Sequence, residues 1–192
     1  MKRLYIFVII SALAACNTLV AQTAQFLTLP ADPRTMSMGG TGVVAPPNAF
    51  SLYNNNAAAA FAPGKGALAA SYTLWLPGAT GSNLANLSGY IKTGKRGAFL
   101  VGSRFFLNPS NNLSDNQGNI TGTYKPMEIS VDLGYAYKIT ETISTAATFR
   151  YVISRMGENA SGGAFAADLG MMYHPGNFSL GLTATNLGSK ID

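Results

Sequence analysis

The sequence predicts an all-β fold, an antiparallel transmembrane β-barrel with a short Gly/Pro-rich N-terminal segment ahead of it, and three observations carry the barrel prediction. Charged residues make up 11% of the 192 and hydrophobic ones 47%, with 21 Gly and 9 Pro; an ordinary soluble domain carries about 25% charged residues. From Gly66 onward, apolar side chains recur at every second position, in segments close to the ~9–11 residues that a tilted strand needs to cross the hydrocarbon layer. The links between those segments alternate between short and long, as the turns and loops at the two ends of an outer-membrane barrel do.

The chain opens with MKRLYIFVIISALAACNTLVAQ, residues 1–22, in which Lys2 and Arg3 precede the apolar run Leu4 to Ala15. That run is too short to span a bilayer and has the form of a signal-peptide core, so the protein is expected to be exported. Two cleavage readings stand. Leu13-Ala14-Ala15-Cys16 has the form of a bacterial lipobox and makes Cys16 a lipidation candidate, whereas Val20-Ala21-Gln22 has the form of an ordinary cleavage site that discards Cys16 with the leader. Cys16 is the one cysteine, which excludes an internal disulfide in either case. Without Lys2 and Arg3, 11 basic and 8 acidic residues remain. This balance of +3 is too weak and scattered for a nucleic-acid partner.

Residues 23–65 show little alternation. RTMSMGGTGVVAPPNAFSLYNNNAAAAFAPGKG is rich in small residues and interrupted by Pro46, Pro47 and Pro63, so it is expected to form a compact run of turns with one short helix across Asn55 to Phe61. Gly-Gly-Thr-Gly at 39–42 lacks the strand, lysine and helix of a phosphate loop, which leaves tight backbone packing as its reason.

Residues 66–192 are expected to supply seven transmembrane strands of an incomplete barrel, at 66–76, 84–93, 97–107, 127–139, 142–153, 164–174 and 178–187. PMEISVDLGYAYKI, residues 126–139, shows the pattern most clearly. Met127, Ile129, Val131, Leu133, Tyr135, Tyr137 and Ile139 share one face, and Glu128, Ser130, Asp132, Gly134, Ala136 and Lys138 share the other. In a soluble sandwich the apolar face meets a second sheet; in an outer-membrane barrel it meets lipid, and the polar face lines the lumen. The links decide between these. TGKR (93–96), TE (140–141) and PGN (175–177) are short, while 77–83, 108–126 and 154–163 are longer and polar. A Greek-key sandwich has no reason to sort its links this way. The N-terminal segment and short turns are therefore assigned to the periplasm and the long loops to the outside. Tyr72, Trp75, Tyr135, Tyr137, Tyr151 and Tyr173 fall toward strand ends, where interfacial aromatics sit. Seven strands leave two unpaired edges, costly in lipid, and single-chain bacterial barrels have even strand numbers, so the sheet is expected to be the N-terminal part of a larger barrel, with one strand more or fewer than counted as the alternative.

The expected sites are structural or partner-binding rather than catalytic. His174 lies in a His-Pro-Gly-Asn turn with no cysteine or acidic pair beside it, so neither metal nor acid/base chemistry is supported, and no cofactor is implied. In the wall, simple hairpins place Arg150 near Asp132 on one neighbour and Asp168 on the next. Arg104 and Glu128 face inward as well. These five residues read as a cross-strand lumenal network that rigidifies the barrel, with a polar pathway as the alternative. The long loop, with Asn111, Asn112, Asp115, Asn116 and Asn119, is the candidate partner surface, because loops on a rigid scaffold carry recognition; a solvated loop without a partner is the alternative.

Four segments, SMGGTGVV (37–44), AFSLYNNNAAAAF (49–61), SYTLWLPG (71–78) and SLGLTATNLGSKI (179–191), resemble the opening half of the PorV/PorQ family of Bacteroidetes outer-membrane proteins, within the wider FadL-like group of fourteen-stranded barrels. The family pattern has Asn-Pro-Ala after the aromatic of the second segment; here Tyr53 is followed by Asn54-Asn55-Asn56-Ala57. The resemblance implies half of a fourteen-stranded barrel in the outer membrane. It also implies a role in type IX secretion, with translocon or attachment-complex proteins, the C-terminal domains of cargo proteins and outer-membrane lipid as partners. The FadL relatives imply the alternative, transport of hydrophobic small molecules past an N-terminal hatch. A structural outer-membrane protein without cargo is the third reading.

Overall fold

The computed structural model describes residues 24–76, 78, 81–115, 117–157 and 161–189. The leader 1–22 with its lipidation candidate Cys16, and Asn116, lie outside these. Among the described residues nine strands form: β1 (Gly66–Trp75), β2 (Ser82–Thr93), β3 (Gly97–Leu107), β4 (Asn111–Ser114), β5 (Ile120–Tyr124), β6 (Met127–Lys138), β7 (Ile143–Arg155), β8 (Ser161–Tyr173) and β9 (Leu180–Gly188). Seven of them build one antiparallel sheet in the order β1-β2-β3-β6-β7-β8-β9. With the separate β4-β5 hairpin set aside, every strand pairs with its neighbour in sequence, so the sheet is a meander.

The alternation of the sequence sets the two faces. On β6, Glu128, Ser130, Asp132, Gly134 and Ala136 are buried, and Val131, Leu133, Tyr135 and Tyr137 are exposed. The same inversion holds on β3, where Phe99 and Val101 are exposed beside buried Ala98 and Leu100, and on β7, where Phe149 and Tyr151 are exposed beside buried Thr148 and Arg150. Outward aromatics meet across strands: Phe165 stacks on Phe149 at 5.4 Å and lies tilted against Tyr151 at 4.8 Å. A soluble sheet hides its apolar row against a core. This one hides its small and polar row and shows the apolar one.

What covers the inner face is the N-terminal segment. It runs through a 3-10 turn (Gln25–Thr28), a short helix (Pro33–Ser37), a second short helix (Ser51–Asn54) and a 3-10 turn (Asn56–Phe61). Asp32 caps the first helix by accepting from the backbone N–H of Arg34, with Pro33 at the first helical position. Residues 24–62 touch all seven strands of the sheet. Ser71 of β1 donates to the Ala31 carbonyl at 2.7 Å, Lys92 of β2 to the Ala60 carbonyl, and Ser144 of β7 to the Ala57 carbonyl at 2.8 Å. Contacts to β3, β6 and β8 are described below, and on β9 Gly181 lies against Val43. The sheet therefore wraps around this segment, though β1 and β9 do not pair and the sheet is not closed. The apolar core sits in between: Leu52, Ala57, Ala58, Ala59 and Ala60 pack against Tyr90, Leu100, Ala136, Ala146 and Met172.

The strands lie within three residues of their expected ranges, and four features differ. The short helix expected over Asn55 to Phe61 is a 3-10 helix (Asn56–Phe61) whose N-cap Asn55 accepts from the Ala57 N–H, and an additional short helix, Ser51–Asn54, precedes it. The long loop 108–126 contains the β4-β5 hairpin, paired from Asn111–Tyr124 to Ser114–Ile120. The links are less regular than expected, since β7 and β8 extend toward each other and β9 starts late. The β7-β8 link (156–160) is thereby shorter than the β8-β9 link (174–179). Trp75 shares its face of β1 with Ser71, so it points inward rather than into an outer aromatic belt; Tyr72 is outward at 66% exposure.

Candidate functional site

The inner face of β6, β7 and β8 carries a buried charge cluster. The β6-β7 register sets Asp132 directly opposite Arg150, and the β7-β8 register sets Asp168 opposite Thr148, one diagonal step from Arg150. Arg150 donates through Nε to Asp132 Oδ1 and through Nη2 to Asp168 Oδ2 at 2.9 Å. All three side chains are almost fully buried. The remaining lone pairs are also used. Asp132 Oδ2 accepts from Ser130 Oγ at 3.0 Å and has the Tyr53 hydroxyl at 3.4 Å; Asp168 Oδ1 accepts the Asn186 N–H at 2.6 Å. Asn186 reaches the cluster through a register shift between Ala167 and Leu169 in the β8-β9 pairing and a φ of +59°, a conformation that asparagine tolerates better than most residues. Its Oδ1 accepts from Arg150 Nη1. One guanidinium faces two carboxylates, so hydrogen bonds from uncharged groups supply much of the compensation that burial demands.

Arg104 is also buried but stands apart from this cluster. Its Nε donates to Asn86 Oδ1 at 3.1 Å, its Nη1 to the Leu27 carbonyl at 2.7 Å and its Nη2 to the Leu29 carbonyl. The guanidinium lies over the rings of Phe26 and Tyr53, at 5.9 and 5.1 Å from their centroids. It makes no ion pair within 4 Å among the described residues, so it anchors the N-terminal segment instead of joining a cross-strand ion network. Glu128 likewise has no ion pair among the described residues; its Oε1 accepts from Ser154 Oγ at 3.4 Å. It lines a cavity of about 850 Å³ at the long-loop end of the sheet, bounded by Gln25–Leu29, Trp75, Phe106, Asn108 and Asn186.

The asparagine run after Tyr53 ties the segment to the wall. Asn55 Nδ2 donates to the carbonyls of Val43 at 2.9 Å and Met171 at 3.2 Å, and Asn56 Nδ2 to Thr148 Oγ1 at 2.9 Å. Gly170 makes the last approach possible, because a Cβ there would overlap Asn56 Oδ1; Gly102 does the same for Leu52 and Tyr53. Burial pushes the Tyr53 phenol well above the ordinary tyrosine range, and the neighbouring Asp132 carboxylate adds to the shift. His174 bonds Ser179 Oγ through Nδ1 at 2.8 Å and meets the Phe61 ring edge-on, a packing role at the end of β8.

In the long loop, Asp115 and Asn119 bind each other. Asn119 donates its side-chain amide to Asp115 Oδ2 at 3.0 Å and its backbone N–H to Oδ1 at 2.8 Å, while Gln117 N–H adds a third bond at 2.9 Å. These bonds, led by the Asn119 side chain, hold the Asp115 carboxyl below the usual carboxylate range. The pair shapes the hairpin tip. Asn111 and Asn112 stand exposed on β4.

Sequence reasoning missed Tyr53, Asn55, Asn56 and Asn186 as members of the inner-face network. A run of three asparagines flanked by apolar residues signals a polar stretch that is buried; Asn186 gives no such signal, because the β9 irregularity brings it in. Fold and inner face together define an antiparallel, barrel-like all-β protein with its apolar side chains outward and its interior occupied by its own N-terminal segment. A family model described as PorV, type IX secretion system protein PorV, matches residues 13–190, and the chain belongs to that family. It is accordingly a component of the type IX secretion system. No match is found among curated proteins.

Proposed function

We propose that the chain is an outer-membrane barrel component of type IX secretion that binds cargo or translocon and helps deliver secreted proteins to the cell surface. The observation that carries this reading is the inverted sheet: apolar side chains outward, polar ones buried under residues 24–62. In lipid such a face is stabilising, and an interior filled by the chain's own segment suits a docking partner better than an open pore. Residues 1–22 act as the export signal, residues 23–65 as the hatch, and residues 66–192 as the seven-stranded half of a fourteen-stranded barrel. The unpaired edges of β1 and β9 support the last point, because open backbone groups in hydrocarbon are costly.

The β4-β5 hairpin is the partner-binding element, with Asn111, Asn112, Asp115 and Asn119 among its exposed polar groups. Deleting residues 111–121 from the full chain and assaying cargo attachment tests it. Loss of attachment with normal barrel assembly is expected, and undiminished attachment would reject the role. Transport of hydrophobic small molecules calls for an apolar pocket between residues 35–62 and the wall. Leu52 and Ala57–Ala60 pack there instead, and the cavity at the long-loop end carries Glu128, Asn108 and Asn186.

A further inference from the structure

We propose that the end of the sheet carrying the links 94–96, 139–142 and 174–179 is a binding rim for anionic phospholipid headgroups. The inference rests on the reading of the outward face as lipid-facing. Five cations gather at this end, on or beside the adjacent strands β1, β2, β3 and β6: Lys65 just before β1, Lys92 near the end of β2, Lys95 and Arg96 in the β2-β3 turn, and Lys138 at the end of β6. Backbone hydrogen bonds hold them side by side. Lys92 N–H donates to the Lys65 carbonyl at 2.7 Å, and Lys138 N–H to the Arg96 carbonyl at 2.9 Å. One carboxylate accompanies them among the described residues of these links, Glu141, whose Oε1 lies 3.7 Å from Arg96 Nη2. Both partners of that pair are exposed, so it neutralises little of the rim.

The cations divide by direction. Lys92 and Lys138 turn inward, Lys92 to the Ala60 carbonyl and Lys138 to within 5.1 Å of the Phe61 ring centroid, and so fasten the end of the N-terminal segment. Lys65, Lys95 and Arg96 remain exposed. On the outer face, the order along the strands matches that of a phospholipid. Leu68, Val101 and Leu133 form the apolar band; one step nearer the rim Tyr135 stands level with Phe99 and Ile91, packed edge-on to Phe99 at 5.3 Å, with its hydroxyl reaching on to Thr93 Oγ1, 3.2 Å away at the last residue of β2. Tyr137 lies beyond it, beside Gly97, and the exposed cations come next. An apolar stretch, then tyrosine hydroxyls, then cations is complementary to acyl chains, ester carbonyls and phosphates. An acidic protein would be drawn by the same charges, but it has no use for a tyrosine row and an apolar band running continuously into them.

The test uses the full chain, purified in mixed micelles of a neutral detergent with equimolar phosphatidylglycerol and phosphatidylcholine, with retained lipid measured by mass spectrometry. The wild type should retain phosphatidylglycerol over phosphatidylcholine by about fivefold or more. The triple variant Lys65→Gln/Lys95→Gln/Arg96→Gln should lose that preference, and Lys125→Gln/Arg155→Gln at the opposite end should keep it. Equal retention by wild type and triple variant overturns the proposal. So does capture of a polyglutamate peptide through the three cations without lipid preference, which would assign the rim to an acidic protein. Resistance to carbonate extraction from membranes, measured separately, reports whether the chain is embedded at all. Its failure would strike the barrel reading, whereas an embedded chain without lipid preference strikes this inference alone.

Discussion

Arg150 is held by two carboxylates and one asparagine oxygen in a space from which water is excluded. Removing it leaves Asp132 and Asp168 buried without a counter-charge, the costly way to break an ion cluster. Arg150→Met should destabilise the protein by roughly 3–5 kcal/mol, read as a lowered midpoint of urea unfolding in detergent. A shift below about 1 kcal/mol would mean that water reaches the cluster. The placement of Asp132 opposite Arg150 is legible in the sequence because the tight β6-β7 link fixes the register, and register fixes the facing side chain. Arg104 and Glu128 share the inward parity, but parity says which face a residue is on, not what it meets there. Arg104 meets main-chain carbonyls of residues 27 and 29, about 75 positions away in sequence. No local pattern encodes such a contact.

Two elements depart most from their sequence-based description, and each yields a prediction. The N-terminal segment reads as turns with one short helix and holds two short helices and two 3-10 turns; its docking onto seven strands is illegible because small residues and glycines mark close approach without naming the partner. Gly170→Val should drive Asn56 from its site against β8 and loosen the segment while the sheet stays paired. Limited proteolysis should then cut within residues 38–62 of the variant, whereas the wild type resists. Equal resistance of the two would show that the segment tolerates the displacement. The long loop reads as polar and Asn-rich, and its hairpin is hidden because Asp115 and Asn119 organise the tip through three hydrogen bonds to one carboxylate. The folded carboxyl is held low, so its contribution is fully present above the unfolded-state pKa of about 3.9 and is lost as pH falls through the lower folded value. The hairpin tip should therefore keep its order at pH 5 and lose it only in stronger acid. Amide chemical shifts of Gln117 and Asn119 followed against pH check this, and a transition at or above the ordinary carboxylate range would refute it.

At the scale of the molecule, the inverted sheet was legible almost in full, because a period of two assigns every side chain in a strand to one of two faces. Val131, Leu133 and Phe149, each about half exposed, make the outer face, and Ser130, Asp132 and Thr148 make the inner. What the period cannot convey is which face is dry because of protein and which because of lipid. Seven strands with free edges at β1 and β9 are likewise legible as a count, while the way residues 24–62 fill the interior is not, since it depends on contacts between distant parts of the chain. The central claim is that the outward face lies in the hydrocarbon of the outer membrane. Spin labels placed at Val131, Leu133 and Phe149 through Val131→Cys, Leu133→Cys and Phe149→Cys, in chains carrying Cys16→Ala and reconstituted in bilayers, measure it most directly. Relaxation by oxygen should exceed that by a water-soluble nickel chelate at all three positions; a chelate effect equal to or greater than that of oxygen would contradict it.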